Sequence, residues 1–65
     1  MNLMINGTSR QSEAPHVLAL LASLGIDPRA IVVEHNGQVL RREQLESTLL
    51  IDGDRLELVR FVGGG

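Results

Sequence analysis

The sequence predicts an α+β fold in which one main helix packs on one face of a mixed β-sheet. Three observations predict this fold class. Asn6-Gly7 and Asn36-Gly37 each supply the two residues with positive φ that a tight hairpin turn requires. Between these turns, apolar residues recur at the spacing of a helix. After the second turn, residues 55–62 alternate as a strand does, which adds a fifth strand to the two hairpins.

The first hairpin comes at the start of the chain. Leu3 and Ile5 alternate with Met4, so the two sets of side chains lie on opposite faces of a strand. After Asn6-Gly7, residues 8–11 form a polar return strand, which suits the edge of a sheet. We therefore expect one face of this hairpin to be buried.

One amphipathic helix follows the first hairpin. Its apolar stripe has the spacing i, i+1, i+3, i+4 and i+7 and consists of Val17, Leu18, Leu20, Leu21 and Leu24. Pro15 suits the first helical turn because its missing N–H costs nothing there. Gly25 suits the position just after the last turn. The residue that caps the N terminus stays open among Ser12, Ala14 and His16.

The second half of the chain alternates short strands and turns. Residues 31–34 form a β-branched strand, and residues 39–40 return after the second Asn-Gly turn. Residues 42–45 suit one isolated helical or 3₁₀ turn. The last strand pairs most economically in parallel beside the first, at the centre of the sheet. This arrangement is a β-grasp, or ubiquitin-like, architecture, with a domain over residues 1–62 and a flexible tail over residues 63–65.

Size and composition exclude several functions. A chain of 65 residues with no cysteine forms one small domain that has little material for a deep catalytic cavity, so we do not expect an independent enzyme. The net charge of −2 and the single aromatic residue argue against nucleic acid. His16 and His35 lie on different elements without an evident carboxylate partner, so we expect no metal site. Without a membrane span or signal peptide, the sequence predicts a soluble cytoplasmic protein.

The sequence ends in Gly63-Gly64-Gly65. Glycine has no Cβ, so a run of three can enter a channel that is too narrow for side chains. Such a tail would present the carboxylate of Gly65 to an enzyme without steric hindrance. We therefore interpret Gly65 as the reactive position and Gly63 and Gly64 as the part that occupies the partner's channel.

Together these features resemble the ubiquitin-like sulfur carriers, and most closely the ThiS family of thiamin biosynthesis. The resemblance covers essentially the whole chain and depends on the order and spacing of five features. They are Asn6-Gly7, the helix start His16-Val17 with Leu20-Leu21, the segment Asn36-Gly37 to Arg42-Glu43-Gln44, the turn Asp52-Gly53-Asp54 with Leu56 and Leu58, and the terminal glycines. Only the last two glycines are needed in that family, so Gly63 departs from its minimal pattern.

The resemblance implies a cycle in which this chain is a co-substrate and not an enzyme. A ThiF-like adenylyltransferase consumes ATP to adenylate Gly65, a persulfide enzyme supplies sulfur to form a thiocarboxylate, and a ThiG-like thiazole synthase takes up that sulfur. It implies no bound cofactor and a monomer when free. The alternatives are a MoaD-like sulfur donor for molybdopterin, a modifier conjugated to lysines, or a passive ubiquitin-like interaction module.

Strand parity predicts a surface for partners. If the leucines of the last strand face the helix, Val59 and Phe61 lie on the opposite face, together with Met4 and Val32. We therefore predict an apolar partner patch of these four residues. The alternative is that Phe61 closes the end of the core.

Overall fold

The computed structural model describes residues 1–61, so Val62 of the predicted domain and the predicted tail over residues 63–65 lie outside the described residues. The elements are β1 (Asn2–Ile5), β2 (Thr8–Gln11), α1 (Val17–Ser23), β3 (Ile31–His35), β4 (Gln38–Leu40) and β5 (Arg55–Arg60), with 3₁₀ turns at Pro28–Ala30 and Arg42–Gln44. Within residues 1–61, no helix is long and apolar enough to cross a membrane.

The five strands form one mixed sheet in the order β2-β1-β5-β3-β4. Strand β5 pairs in parallel with β1 and antiparallel with β3, and both hairpins are antiparallel. The predicted α+β β-grasp fold, with the last strand at the centre and one main helix on one face, is therefore confirmed.

The first turn of α1 differs from the prediction. The helix begins at Val17, and the Nδ1 atom of its N-cap residue His16 accepts a hydrogen bond from the Ala19 N–H at 3.1 Å. The Pro15 carbonyl instead accepts a hydrogen bond from Leu50 N–H at 3.1 Å. Because His16 is the extended N-cap residue and the helix begins at Val17, Pro15 precedes the helix, and its predicted place in the first turn is wrong.

The end of α1 follows the prediction. Gly25 has φ of +72°, the left-handed conformation expected just after a helix. Its N–H donates to the Ala22 carbonyl at 3.1 Å, and the Ile26 N–H donates to the Leu21 carbonyl at 2.9 Å. These two bonds form a Schellman motif, which satisfies the last carbonyls of the helix and turns the chain towards β3.

The core lies between α1 and one face of the sheet. Among the described residues, its buried apolar side chains are Leu3, Ile5, Val17, Leu20, Leu21, Ile31, Val33, Leu45, Leu50 and Leu56. Alternate residues of β1, β3 and β5 supply this face, as the strand parity predicted. We call the other face of the sheet the open face, because no helix or strand of residues 1–61 packs on it.

The two Asn-Gly turns hold β5 at its first residue and near its middle. Asn6 and Asn36 both have positive φ, +49° and +50°. The Asn6 side chain accepts a hydrogen bond from the Leu58 N–H at 2.7 Å and donates to the Leu58 carbonyl at 3.2 Å. The Asn36 side chain accepts a hydrogen bond from the Arg55 N–H at 2.9 Å. The turns thus position the strand that leads to the C-terminal glycines.

Candidate functional site

The base of the C-terminal tail is attached firmly to the sheet. Arg60 is the register partner of Ile31, and the Phe61 N–H donates a hydrogen bond to the Ala30 carbonyl at 3.0 Å. The chain is therefore held by backbone pairing up to Phe61, beside the turn that precedes β3. The predicted reactive residue Gly65 and channel residues Gly63 and Gly64 lie outside the described residues.

Three of the four predicted patch residues come together at this base. Val32 and Val59 are direct cross-strand partners on the open face. Phe61 is the first residue after β5, and because it comes two residues after Val59 it lies on the same face. Val59 is 55% exposed and Phe61 is 60% exposed. The alternative that Phe61 closes the core is therefore wrong. We call Val32, Val59 and Phe61 the tail-base cluster.

The fourth predicted residue, Met4, lies apart from this cluster. It faces the open side and is 39% exposed, as the parity predicted. Its register partner is Arg55, however, which precedes Val59 by four residues of β5. At a rise of about 3.3 Å per residue, this separation is roughly 13 Å. Because the charged Glu57 lies between them on the same face, Met4 does not form one continuous patch with the cluster.

Val39, which was not among the predicted patch residues, extends the cluster towards the sheet edge. Val39 is 61% exposed and pairs with Glu34 across the second hairpin, so it lies on the open face. Val39, Val32 and Phe61 line the same groove of about 240 Å³. The register of the Asn36-Gly37 turn would have placed Val39 on this face, since a two-residue loop fixes which residues are opposite.

The open face also carries two opposed carboxylates. Glu34 and Glu57 are register partners on β3 and β5, immediately beside the Val32–Val59 pair. Like charges placed directly opposite each other across two strands destabilise a sheet. The arrangement therefore suits a partner that brings an apolar contact for the tail-base cluster and a cationic side chain for the two glutamates.

A buried carboxylate holds the start of β5. Asp54 is only 5% exposed, and its carboxylate contacts His35 Nε2, Asn36 Nδ2 and the Ile51 N–H, each at 3.0 Å. Burial raises the pKa of Asp54, but the hydrogen bonds from Asn36, His35 and Ile51 outweigh burial, so the pKa lies below its usual value of 3.8. The expectation that His35 has no carboxylate partner is therefore wrong.

The other histidine, His16, is the N-cap of α1. Its Nδ1 atom already accepts the Ala19 N–H, on a different element from His35. Among residues 1–61, no group of three or more histidine, aspartate or glutamate side chains lies close enough together to hold a metal ion. Both histidines have structural contacts in the described part of the chain.

The fold and the exposed base of its C-terminal strand define a ubiquitin-like β-grasp domain. A family model for the ThiS family matches residues 3–65, and the chain therefore belongs to the ThiS family. A crystal structure of the thiamine biosynthesis protein ThiS from Geobacter metallireducens matches with a TM-score of 0.85 and 38% identity, over 100% of both chains.

Curated relatives agree with this family. The sulfur carrier protein ThiS of Bacillus subtilis is 39% identical over 46 residues, which are 71% of this chain and 70% of that protein. A thiazole synthase of Paramagnetospirillum magneticum is 42% identical and one of Magnetococcus marinus is 36% identical, each over 66 residues and 100% of this chain. The chain spans only 20% of the length of these two synthases.

Proposed function

We propose that this chain is a sulfur carrier that serves thiazole formation in thiamin biosynthesis, with the carboxylate of Gly65 as the group that carries sulfur. The observation that supports it most is the ThiS family match over residues 3–65, which includes all three terminal glycines. The relatives named sulfur carrier protein and thiazole synthase support the same pathway. In this proposal the chain is a co-substrate, and the catalytic groups and ATP belong to its partners.

The proposed chemistry has three steps. A carboxylate oxygen of Gly65 attacks the α-phosphate of ATP on a ThiF-like adenylyltransferase, which releases pyrophosphate and leaves an acyl-adenylate. The persulfide sulfur of a donor enzyme attacks the acyl carbon and displaces AMP, and a thiol then cleaves the S–S bond to leave a thiocarboxylate. A ThiG-like thiazole synthase takes up this sulfur. Adenylation is needed because a free carboxylate has no good leaving group.

The tail needs a docking surface beside it. Ordering the backbone of Gly63, Gly64 and Gly65 in a channel costs about 1–2 kcal/mol per residue, so roughly 3–6 kcal/mol in total. Contacts elsewhere on the domain must offset this cost. The tail-base cluster suits this role because Val59 and Phe61 are exposed and only Val62 separates Phe61 from the tail in the sequence.

The open face indicates which chemistry a partner needs. A partner that grips the glycines also contacts Phe61, and an apolar side chain there would bury the exposed surface of Val59 and Phe61. A lysine or arginine of the partner beside it would neutralise the Glu34–Glu57 pair. We propose this combined apolar and cationic contact for the adenylyltransferase, since activation is the step in which the tail is first bound.

Intact mass spectrometry tests the proposed function. The chain is incubated with a ThiF-type enzyme, ATP, a persulfide donor and a thiol reductant, and we expect one oxygen of the chain to be replaced by sulfur. Omission of ATP is the first control, and deletion of both Gly64 and Gly65, which removes the diglycine end, is the second; both should abolish the change in mass. An unmodified mass under complete conditions would contradict the proposal.

A second assay tests the acceptor. Thiocarboxylated chain is mixed with a ThiG-like thiazole synthase and the other substrates of thiazole formation, and sulfur loss from the chain is followed by mass. Return of the mass to that of the carboxylate form is expected only when the synthase is present. Sulfur transfer to a molybdopterin-forming partner, with none to the synthase, would favour the MoaD-like alternative.

A further inference from the structure

The helix side of the sheet carries a groove that the proposed function does not use. It has a volume of about 410 Å³ and lies between strands β1, β2 and β5 and the segment that follows α1. Its apolar lining consists of Ile5, Leu24, Ile26, Ile31 and Leu58, of which Leu24, Ile26 and Leu58 are only half-buried. Arg10 and Arg60 also line it, so we call it the arginine groove.

The register places both arginines on this side of the sheet. Arg10 of β2 is opposite the buried Leu3, and Arg60 of β5 is opposite the buried Ile31. Directly opposed residues share a face, so both guanidinium groups belong to the side that carries α1 and not to the open face. Strand β1 separates the strands that carry them.

The charge of the groove differs from that of the chain. The protein has a net charge of −2, yet no aspartate or glutamate among residues 1–61 lines this groove. The ion pairs within the same residues are Asp27 with Arg29, His35 with Asp54 and Arg41 with Glu43. Arg10 and Arg60 thus border half-buried apolar surface without a carboxylate from the described part of the chain. A complementary ligand is both acidic and apolar.

A protein–protein interface of ordinary size needs more surface than the tail-base cluster offers. A standard interface covers about 800 Å² of each partner, roughly a fifth of the accessible surface of this small chain. Three side chains cannot supply that area. The arginine groove and the tail-base cluster lie on opposite faces of the sheet, but Ile31 lines both this groove and the groove of Val32 and Phe61, so the two surfaces meet at the end of β5. A partner that encloses the tail base can therefore reach both surfaces.

We propose that the arginine groove is a second docking surface that binds an acidic segment of the thiazole synthase partner. An apolar side chain of that segment contacts Leu24, Ile26 and Leu58, and its carboxylates pair with Arg10 and Arg60. This inference rests on the proposed function, because that function supplies the partner. The synthase is the suitable occupant because relatives of the same name contain a segment similar to this whole chain. A carrier domain that stays beside its synthase benefits from a larger interface than one that binds the adenylyltransferase only briefly.

Charge reversal at Arg10 tests the groove most sharply. Arg10 is on β2, at the opposite edge of the sheet from β4, and a partner that touches only the tail and the open face does not contact it. We expect R10E to weaken binding of the full chain to purified thiazole synthase by about tenfold in calorimetric titration at low salt, and by less at high salt. The matched control is R41E, which makes the same charge change at an exposed arginine outside the groove. Thermal unfolding of each variant checks the fold.

The outcomes distinguish failure of the arginine-groove proposal from failure of the proposed function. Wild-type binding with R10E weakened and R41E within twofold of wild type supports the groove. Equal binding of R10E and wild type overturns the groove, while thiocarboxylate formation still tests the function independently. If wild type neither binds the synthase nor becomes thiocarboxylated, both proposals are overturned. A photo-crosslinking side chain at position 10 should also capture a synthase peptide that contains aspartate or glutamate, and capture of a peptide without either would argue against the groove.

Discussion

His35 Nε2 lies 3.0 Å from the Oδ2 atom of Asp54, so the end of β3 is joined to the start of β5 through a buried carboxylate. An ionised carboxylate can only accept hydrogen bonds, and therefore Nε2 of His35 carries the hydrogen in this contact. The Ile51 N–H donates to the same oxygen. One side chain thus joins the loop before β5 to the end of β3 and to the turn that follows β3.

The first prediction is that Asp54 makes the free energy of unfolding depend on pH. Its folded pKa lies below the usual value, so its stabilising effect is full above the unfolded pKa of about 3.9 and is lost as pH falls through the folded pKa. D54N should cost about 1–3 kcal/mol at pH 7, because it leaves donors around a buried site without their charged acceptor. Urea unfolding from pH 7 to pH 3 should show this difference shrinking as pH falls. The control is E46Q on an exposed residue, and a pH-independent effect of D54N would contradict the prediction.

The second prediction concerns the amide of Asn6. N6G keeps the positive φ but loses both hydrogen bonds to Leu58, so it should cost about 1 kcal/mol. N6A loses the same bonds and adds strain at positive φ, so it should cost about 1 kcal/mol more. Denaturant unfolding measures both values. Amide hydrogen exchange at Leu58 should become faster in both variants, and unchanged protection there would show that the side chain does not hold β5.

Local rules predicted the parts of this fold that depend on neighbouring residues. The Asn-Gly turns specified both hairpins, and the alternation in β5 placed Val59 and Phe61 on the open face because side-chain direction has a period of two. The Asp54–His35 contact was not predictable in the same way, since it joins residues 19 positions apart. Its formation depends on how β5 enters the sheet between β1 and β3.

The site was predictable only in part for the same reason. Parity gave the face of Met4 correctly, but the parallel register that places it opposite Arg55 is a property of the assembled sheet. The arginine groove likewise combines Arg10 and Arg60 from strands separated by β1, together with the segment after α1. No local pattern of residues connects these segments, so only the tertiary structure brings them together.

The third prediction separates the tail-base cluster from Met4. F61D should raise the Kd or KM for the adenylyltransferase by about tenfold or more, because it places a charge on the apolar contact beside the tail. M4D makes the same kind of change on the same face, roughly 13 Å away, and should change these constants by less than about threefold. Both side chains are exposed, so the unfolding temperature should change little. Equal loss in the two variants would favour one continuous patch, and no loss in F61D would remove the cluster from the docking surface.

The fourth prediction is that Glu34 and Glu57, the acidic pair of the open face, lower the stability of the fold and strengthen binding of the adenylyltransferase. E57Q removes one of two like charges that are directly opposed across β3 and β5, so the free energy of unfolding should increase by a few tenths of a kcal/mol. The same variant should bind the adenylyltransferase more weakly and with a smaller dependence on salt, because a cationic contact is lost. E46Q, which changes the net charge equally at an exposed residue outside the strands, should affect neither property. If E57Q stabilises the fold but leaves binding and its salt dependence unchanged, then Glu34 and Glu57 only repel each other, and the partner does not carry a cation at this position.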